Sequence, residues 1–175
     1  MSGSAPRRIR LRPYHPGYLL AYVALGEAAR PRPAMQYGLS LLRSTQPDTE
    51  VELVQEYDDI CLHCERLELD PRGSVWGPER SCPSSRDPKV VAEVHRENDD
   101  ILKALRGSYG AVFTAEKLFT LLAEKLPQLA HLPMTGSATI QDNYQAGLDM
   151  LLAQWAARKR QEEGEIPRLP RCKQL

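Results

Sequence analysis

Three cysteines within a short stretch constrain this 175-residue chain more than any other feature of its sequence. Cys61 and Cys64 form a C-x-x-C pair, and Cys82 follows after 17 intervening residues. Residues 70–88 are rich in proline and glycine, which predicts a long loop around Cys82. A loop of this length without a core of its own is unusual unless something orders it, and a bound metal would do so.

The spacing of Cys61, Cys64 and Cys82 is typical of metal sites. Two thiolates in a C-x-x-C bind one ion because a tight turn points both sulfurs to the same side. A complete zinc ribbon would have another ligand at position 85, where the chain has Ser. The fourth ligand is therefore open, and the candidates are His15, His63, His95 and Cys172, of which we prefer His15.

Two metals suit this cysteine pattern, zinc and an iron–sulfur cluster. Three cysteines and one histidine are a common structural zinc set. Cys82-Pro83 resembles the Cys-Pro ending of ferredoxin-type cluster motifs. The corresponding roles are structural or partner-binding for zinc, and electron transfer or assembly for a cluster.

Other functions stay open beside metal binding. In the first alternative, the chain is an interaction module whose C-terminal helix binds a protein partner. The cysteines then hold a structural zinc or no metal. In the second, the C-x-x-C with its internal His63 is a thiol redox pair. No sequence motif assigns a substrate, so any catalytic residues and any enzymatic activity are unknown.

Hydrophobic spacing predicts a mainly α fold of the α+β class, with helices around the cysteine-bearing loop and one or two short strands. The best strand candidate is Val51–Glu56, and the most regular helix begins near Ile140 and ends near Glu163. We expect a metal-site domain over 1–127, a helical extension over 128–164 and a flexible tail over 165–175. The arginine-rich residues 1–12 suggest a solvated arm that becomes ordered near Ile9.

Charge and apolar runs limit the partners and the compartment. The 23 Lys and Arg balance the 23 Asp and Glu, which argues against nucleic acid or a membrane surface as a partner. The apolar run Tyr18–Leu25 is far shorter than the ~20 residues that span a bilayer. We expect a cytoplasmic protein without a signal peptide or membrane anchor, in which clustered cysteines are metal ligands or redox thiols.

Two segments resemble a family of small bacterial and archaeal proteins of unknown function. The segment Leu11–His15 resembles the family's L-R-P-H-H opening, and Asp58–Cys64 resembles its D-D-I-C-x-x-C segment. Cys82 fits a later cysteine of the family. The likeness covers about residues 9–127 and implies iron–sulfur binding, which is how the family is described from its cysteine pattern.

This chain departs from the family pattern at Tyr18, where the family's opening continues to a fourth cysteine. Either His15, Tyr18 or another group completes the site, or a cluster keeps one open iron, or the site is degenerate. Of the two acids before Cys61, we expect one of Asp58 and Asp59 to cap the cysteine turn and the other to be solvated.

Overall fold

The computed structural model describes residues 8–26, 30–64 and 88–163. Cys82, Cys172, most of the loop predicted at 70–88 and the tail predicted at 165–175 lie outside the described residues. Within those ranges the chain is mainly helical with a small sheet, which confirms the predicted fold class. The elements are β1 (Ile9–Leu11), α1 (His15–Leu25), α2 (Pro33–Arg43), β2 (Glu50–Leu53), α3 (Pro88–Ala104), β3 (Val112–Thr114), α4 (Ala115–Lys125) and α5 (Ala138–Glu162).

Local sequence signals account for several helix ends. α1 ends at Gly26, whose φ of 59° lies in the left-handed region that glycine adopts without a steric penalty. α2 begins at Pro33, a residue preorganised for the first helical turn. The Thr114 hydroxyl oxygen accepts a hydrogen bond from the Lys117 amide at 3.3 Å, so Thr114 is the N-cap of α4.

The sheet has the order β1-β2-β3. The segments that follow β1 and β2 carry the residues of the candidate site described below. β1 pairs with β2 in parallel, with Leu11 opposite Leu53, and β2 pairs with β3 in the antiparallel direction. A parallel pair needs a crossover, which α1 and α2 provide here. The strand expected at Val51–Glu56 is present but ends at Leu53, and the segment expected to become ordered near Ile9 forms β1.

α5 lies along α1, and the two helices share the core. The Tyr144 hydroxyl donates to the Phe119 carbonyl at 2.9 Å, and the Trp155 indole donates to the Thr45 carbonyl at 2.9 Å. These contacts use the apolar face of α5, so a protein partner of this helix would have to contact its exposed face. The predicted boundary between residues 127 and 128 stays a prediction. Within the described residues, no helix combines the length and apolarity needed to cross a bilayer.

Candidate metal site

The candidate site lies where the chain leaves β1 and β2. These strands are parallel, so both leave the sheet at the same edge. The chain after β1 brings Arg12 and His15 to this edge, and the chain after β2 brings Asp58 and Cys61. His15 is the first residue of α1, and Cys61 begins a short 3₁₀ turn, Cys61–His63.

The buried carboxylate of Asp58 connects the two segments. Its Oδ2 accepts a hydrogen bond from the Arg12 amide at 2.7 Å and contacts His15 Nδ1 in a short hydrogen bond. Its Oδ1 accepts from the amides of Ile60 and Cys61, at 3.0 and 2.8 Å. Asp58 therefore caps the cysteine turn, as the sequence predicts for one of the two acids, and it also holds His15.

The neighbouring acid, Asp59, is only half-buried but is not simply solvated. Its Oδ2 accepts a hydrogen bond from the Arg10 amide at 3.1 Å. The expectation that the second acid is solvated is therefore met only in part, because Asp59 is half-buried and the edge of β1 supplies it with one amide donor. Both acids tie the chain before Cys61 to β1.

The surroundings shift the acid–base behaviour of two groups in opposite directions. Burial by itself raises the pKa of Asp58, but the adjacent His15 and the hydrogen bonds from Arg12 and Cys61 hold that pKa below its usual range. Burial, followed by the negative charge of Asp58, raises the pKa of Cys61 well above its usual range. Without a bound cation, Cys61 is therefore a neutral thiol and a weak nucleophile.

His15, Asp58 and Cys61 together could hold a metal ion. Each side chain is buried and offers one ligand atom, and the three atoms all lie within 4.8 Å of one another. Imidazole nitrogen, carboxylate oxygen and thiolate sulfur are all zinc ligands. The sequence suggested His15 and Cys61 for this role but did not suggest Asp58 as a ligand.

Arg12 is the other residue of the site that sequence reasoning missed. Its side chain is only 1% exposed, although the arginine-rich composition of residues 1–12 suggests solvated guanidinium groups. Its Nε and Nη2 donate to the carbonyls of Glu56 and Gln55, at 3.0 and 2.8 Å, and these bonds offset part of the desolvation of the guanidinium. The buried Nη1 has no hydrogen-bond partner among the described residues. The positive charge of Arg12 opposes the rise in the pKa of Cys61.

The remaining candidate ligands among the described residues are not part of this compact group. Cys64 follows the 3₁₀ turn and is partly exposed. The His63 ring stacks on Tyr37 of α2 at a centroid distance of 3.4 Å. His95 is partly buried on α3, and Tyr18 packs edge-on against Tyr14 at 6.2 Å. Cys64, His63 and His95 do not belong to the group formed by His15, Asp58 and Cys61.

The structure also corrects the expected conformation around His15. Pro13 and Pro16 flank His15, and this spacing predicts an extended segment. Instead the chain turns, with the His15 amide donating to the Arg12 carbonyl at 3.0 Å, and α1 begins at His15. Pro16 is favourable in a first helical turn, where an amide proton has no helical acceptor.

The fold and the site define a mainly helical protein with a buried His–Asp–Cys group at the edge of a small sheet. No protein family, no curated protein and no solved structure matches the chain. The resemblance to the small bacterial and archaeal family therefore stays an expectation.

Proposed function

We propose that this chain is a metal-binding protein whose metal is held by His15, Cys61, Cys64 and Cys82. The observation that carries the proposal is the clustering of buried His15, Asp58 and Cys61, with ligand atoms within 4.8 Å of one another. A thiolate at Cys61 would place a second negative charge beside Asp58 in a buried site. A cation would compensate both negative charges. Without a cation, the two charges would repel each other in a buried site.

Asp58 fits the role of a residue that orients the ligands better than it fits direct coordination. Both of its carboxylate oxygens already accept hydrogen bonds, from the amides of Arg12, Ile60 and Cys61 and from the His15 ring. A ligating histidine commonly donates its second ring nitrogen to a carboxylate, which fixes the tautomer and the ring orientation. The hydrogen bond from His15 Nδ1 to Asp58 leaves Nε2 as the nitrogen available to a metal.

We assign the site to zinc, and the mixed donor chemistry supports this choice. Structural zinc sites commonly use three cysteines and one histidine. Iron–sulfur clusters are mostly held by cysteine alone, although the resemblance to the small bacterial and archaeal family and the Cys82-Pro83 sequence favour a cluster. In the zinc assignment the ion is structural. The raised pKa of Cys61 disfavours the thiol redox alternative.

The test is anaerobic purification followed by metal analysis and an absorption spectrum. One zinc per chain with no visible absorption is the expected result. Iron and sulfide together with broad absorption near ~400 nm would change the assignment from zinc to an iron–sulfur cluster at the same ligands. A chain with neither metal, that also fails to bind added zinc or to rebuild a cluster, would contradict the proposal.

Matched variants locate the site. Cys61→Ser and His15→Gln should each lower the bound metal well below one per chain. Cys172→Ser and His131→Gln are the controls, because they change the same residue types outside the proposed ligand set, and they should retain the metal. Equal retention in all four variants would refute the ligand assignment while leaving metal binding elsewhere possible.

A further inference from the structure

A cleft of 830 Å³ opens between α1, α2 and α5, away from the candidate metal site. Its α1 wall is formed by the last turns of the helix, Tyr22–Gly26, whereas His15 is the first residue of that helix. At 1.5 Å per residue, these ends of α1 are separated by about 16 Å. The volume lies within the range of small-molecule sites, about 300–1,000 Å³.

Three helices supply an apolar wall to this cleft. Val23 of α1, Leu39 of α2 and Leu151 of α5 line it, and Met150 lies beside them. Met150 is 53% exposed, the highest exposure among the large hydrophobic side chains of the described residues. A flexible thioether side chain of this kind adapts readily to an apolar ligand.

The charged groups of the cleft are of one sign. Arg30 and Arg43 line it, and no acidic side chain does so among the described residues. Neither guanidinium forms an ion pair with a carboxylate in the described ranges.

We propose that this cleft binds a small organic anion with an apolar body, such as a medium-chain carboxylate or alkyl phosphate. The alkyl body would lie against Val23, Leu39 and Met150, and the anionic head would pair with Arg30 and Arg43. Guanidinium groups bind carboxylate and phosphate oxygens through paired N–H donors, so either head group satisfies the site. Anion binding in this cleft does not depend on the metal site, so loss of one activity should leave the other unchanged.

Isothermal titration calorimetry with sodium decanoate, below its micelle concentration, tests the proposal. Decanoate should bind with one site per chain, decyltrimethylammonium should not bind, and butyrate should bind much more weakly because it buries less apolar surface. Decyl phosphate in a parallel titration identifies the preferred head group. Absence of decanoate and decyl phosphate binding, or equal binding of the cationic amphiphile, would overturn the proposal.

Substitutions within the cleft then test its two components. Arg30→Gln combined with Arg43→Gln should weaken decanoate binding about tenfold or more. The control is Arg96→Gln on α3, which changes net charge away from the cleft and should leave the affinity unchanged. Met150→Glu should weaken binding further than Met150→Gln, since both variants are polar at this exposed position and only one adds a negative charge.

Circular dichroism confirms that each variant is folded before titration. Unchanged affinity in the double arginine variant would assign decanoate to another surface and would refute the proposal. Flotation with phosphatidylglycerol vesicles tests whether the ligand is a membrane lipid rather than a free amphiphile. Vesicle binding without decanoate binding would show that the cleft does not take the free anion.

Discussion

Replacing Gly147 by alanine should destabilise the protein, because α5 touches the backbone of α1 at this residue. A Cβ built on Gly147 would lie 2.6 Å from the Leu20 carbonyl carbon and closer still to its oxygen. These are backbone atoms within a helix, so no side-chain rotation can make room. The helices would have to move apart.

The size of the effect follows from the displacement. Carbon atoms in favourable contact are about 3.5–4.0 Å apart, so the helices must separate by about 1 Å at the crossing. Overpacking of this kind costs about 1–3 kcal/mol and sometimes more, and the better helix propensity of alanine returns about 1 kcal/mol. Because the obstructing atoms are backbone, we expect a gross cost of about 3–4 kcal/mol, at and above the top of that range. The net loss is then about 2–3 kcal/mol, which lowers the Tm by about 4–12 °C.

Urea unfolding followed by circular dichroism measures this loss against a control at the same interface. Gly17 of α1 also faces α5, but a Cβ there would lie 3.4 Å from Ile140 Cδ1, an ordinary contact with a side chain. Gly17→Ala should therefore leave the urea midpoint unchanged or slightly higher. A Gly147→Ala variant with the wild-type midpoint, or equal losses in both variants, would refute the close approach of the two helices.

Three further predictions concern a buried phenol, a helix cap and the candidate site. Burial raises the pKa of Tyr144 well above its usual range, so stability should fall as pH rises above about 10, where only the unfolded chain loses this proton. Tyr144→Phe should remove that part of the alkaline loss and, at neutral pH, lower the unfolding free energy by about 1 kcal/mol through the lost hydrogen bond; an unchanged alkaline slope would contradict this. Thr114→Ala should cost about 1 kcal/mol in thermal unfolding, whereas Thr114→Ser keeps the capping oxygen and should cost less. Asp58→Asn should weaken metal binding by about 10–100-fold in a competition assay with a chromogenic chelator, and Asp59→Asn, which alters only an acceptor for the Arg10 amide, should not; equal effects would argue against the orienting role of Asp58.

The sequence predicts those features of the fold that depend on neighbouring residues. The periodic apolar face of α5 is a local pattern that the structure confirms. Thr114 and Gly26 are residue types that commonly cap helices, and they do so here. The end of β2 is less predictable from the sequence. The strand ends where its pairing with β1 and β3 ends, and the alternation of apolar and polar residues in β2 does not determine that point. A glycine inside α5 looks unfavourable in the sequence, and only the crossing with α1 explains Gly147.

The candidate site is predictable only in its residue types. The sequence suggests Cys61 and His15 because thiolate and imidazole are metal ligands, and it suggests a capping role for one of the two acids. The sequence does not predict the hydrogen bond between His15 and Asp58, the acid that caps the Cys61 turn. His15 and Asp58 are 43 positions apart, and no local pattern relates them.

Their meeting depends on the crossover. α1 and α2 return the chain so that β2 lies parallel to β1, and two parallel strands leave the sheet at the same edge. Arg12 then lies against the carbonyls of Gln55 and Glu56, which keeps a guanidinium buried where composition alone indicates a solvated arm. The same pairing therefore determines the burial of Arg12 and the approach of His15 to Asp58. A change that weakens the pairing of β1 with β2 should disturb both together, even though it removes no candidate ligand.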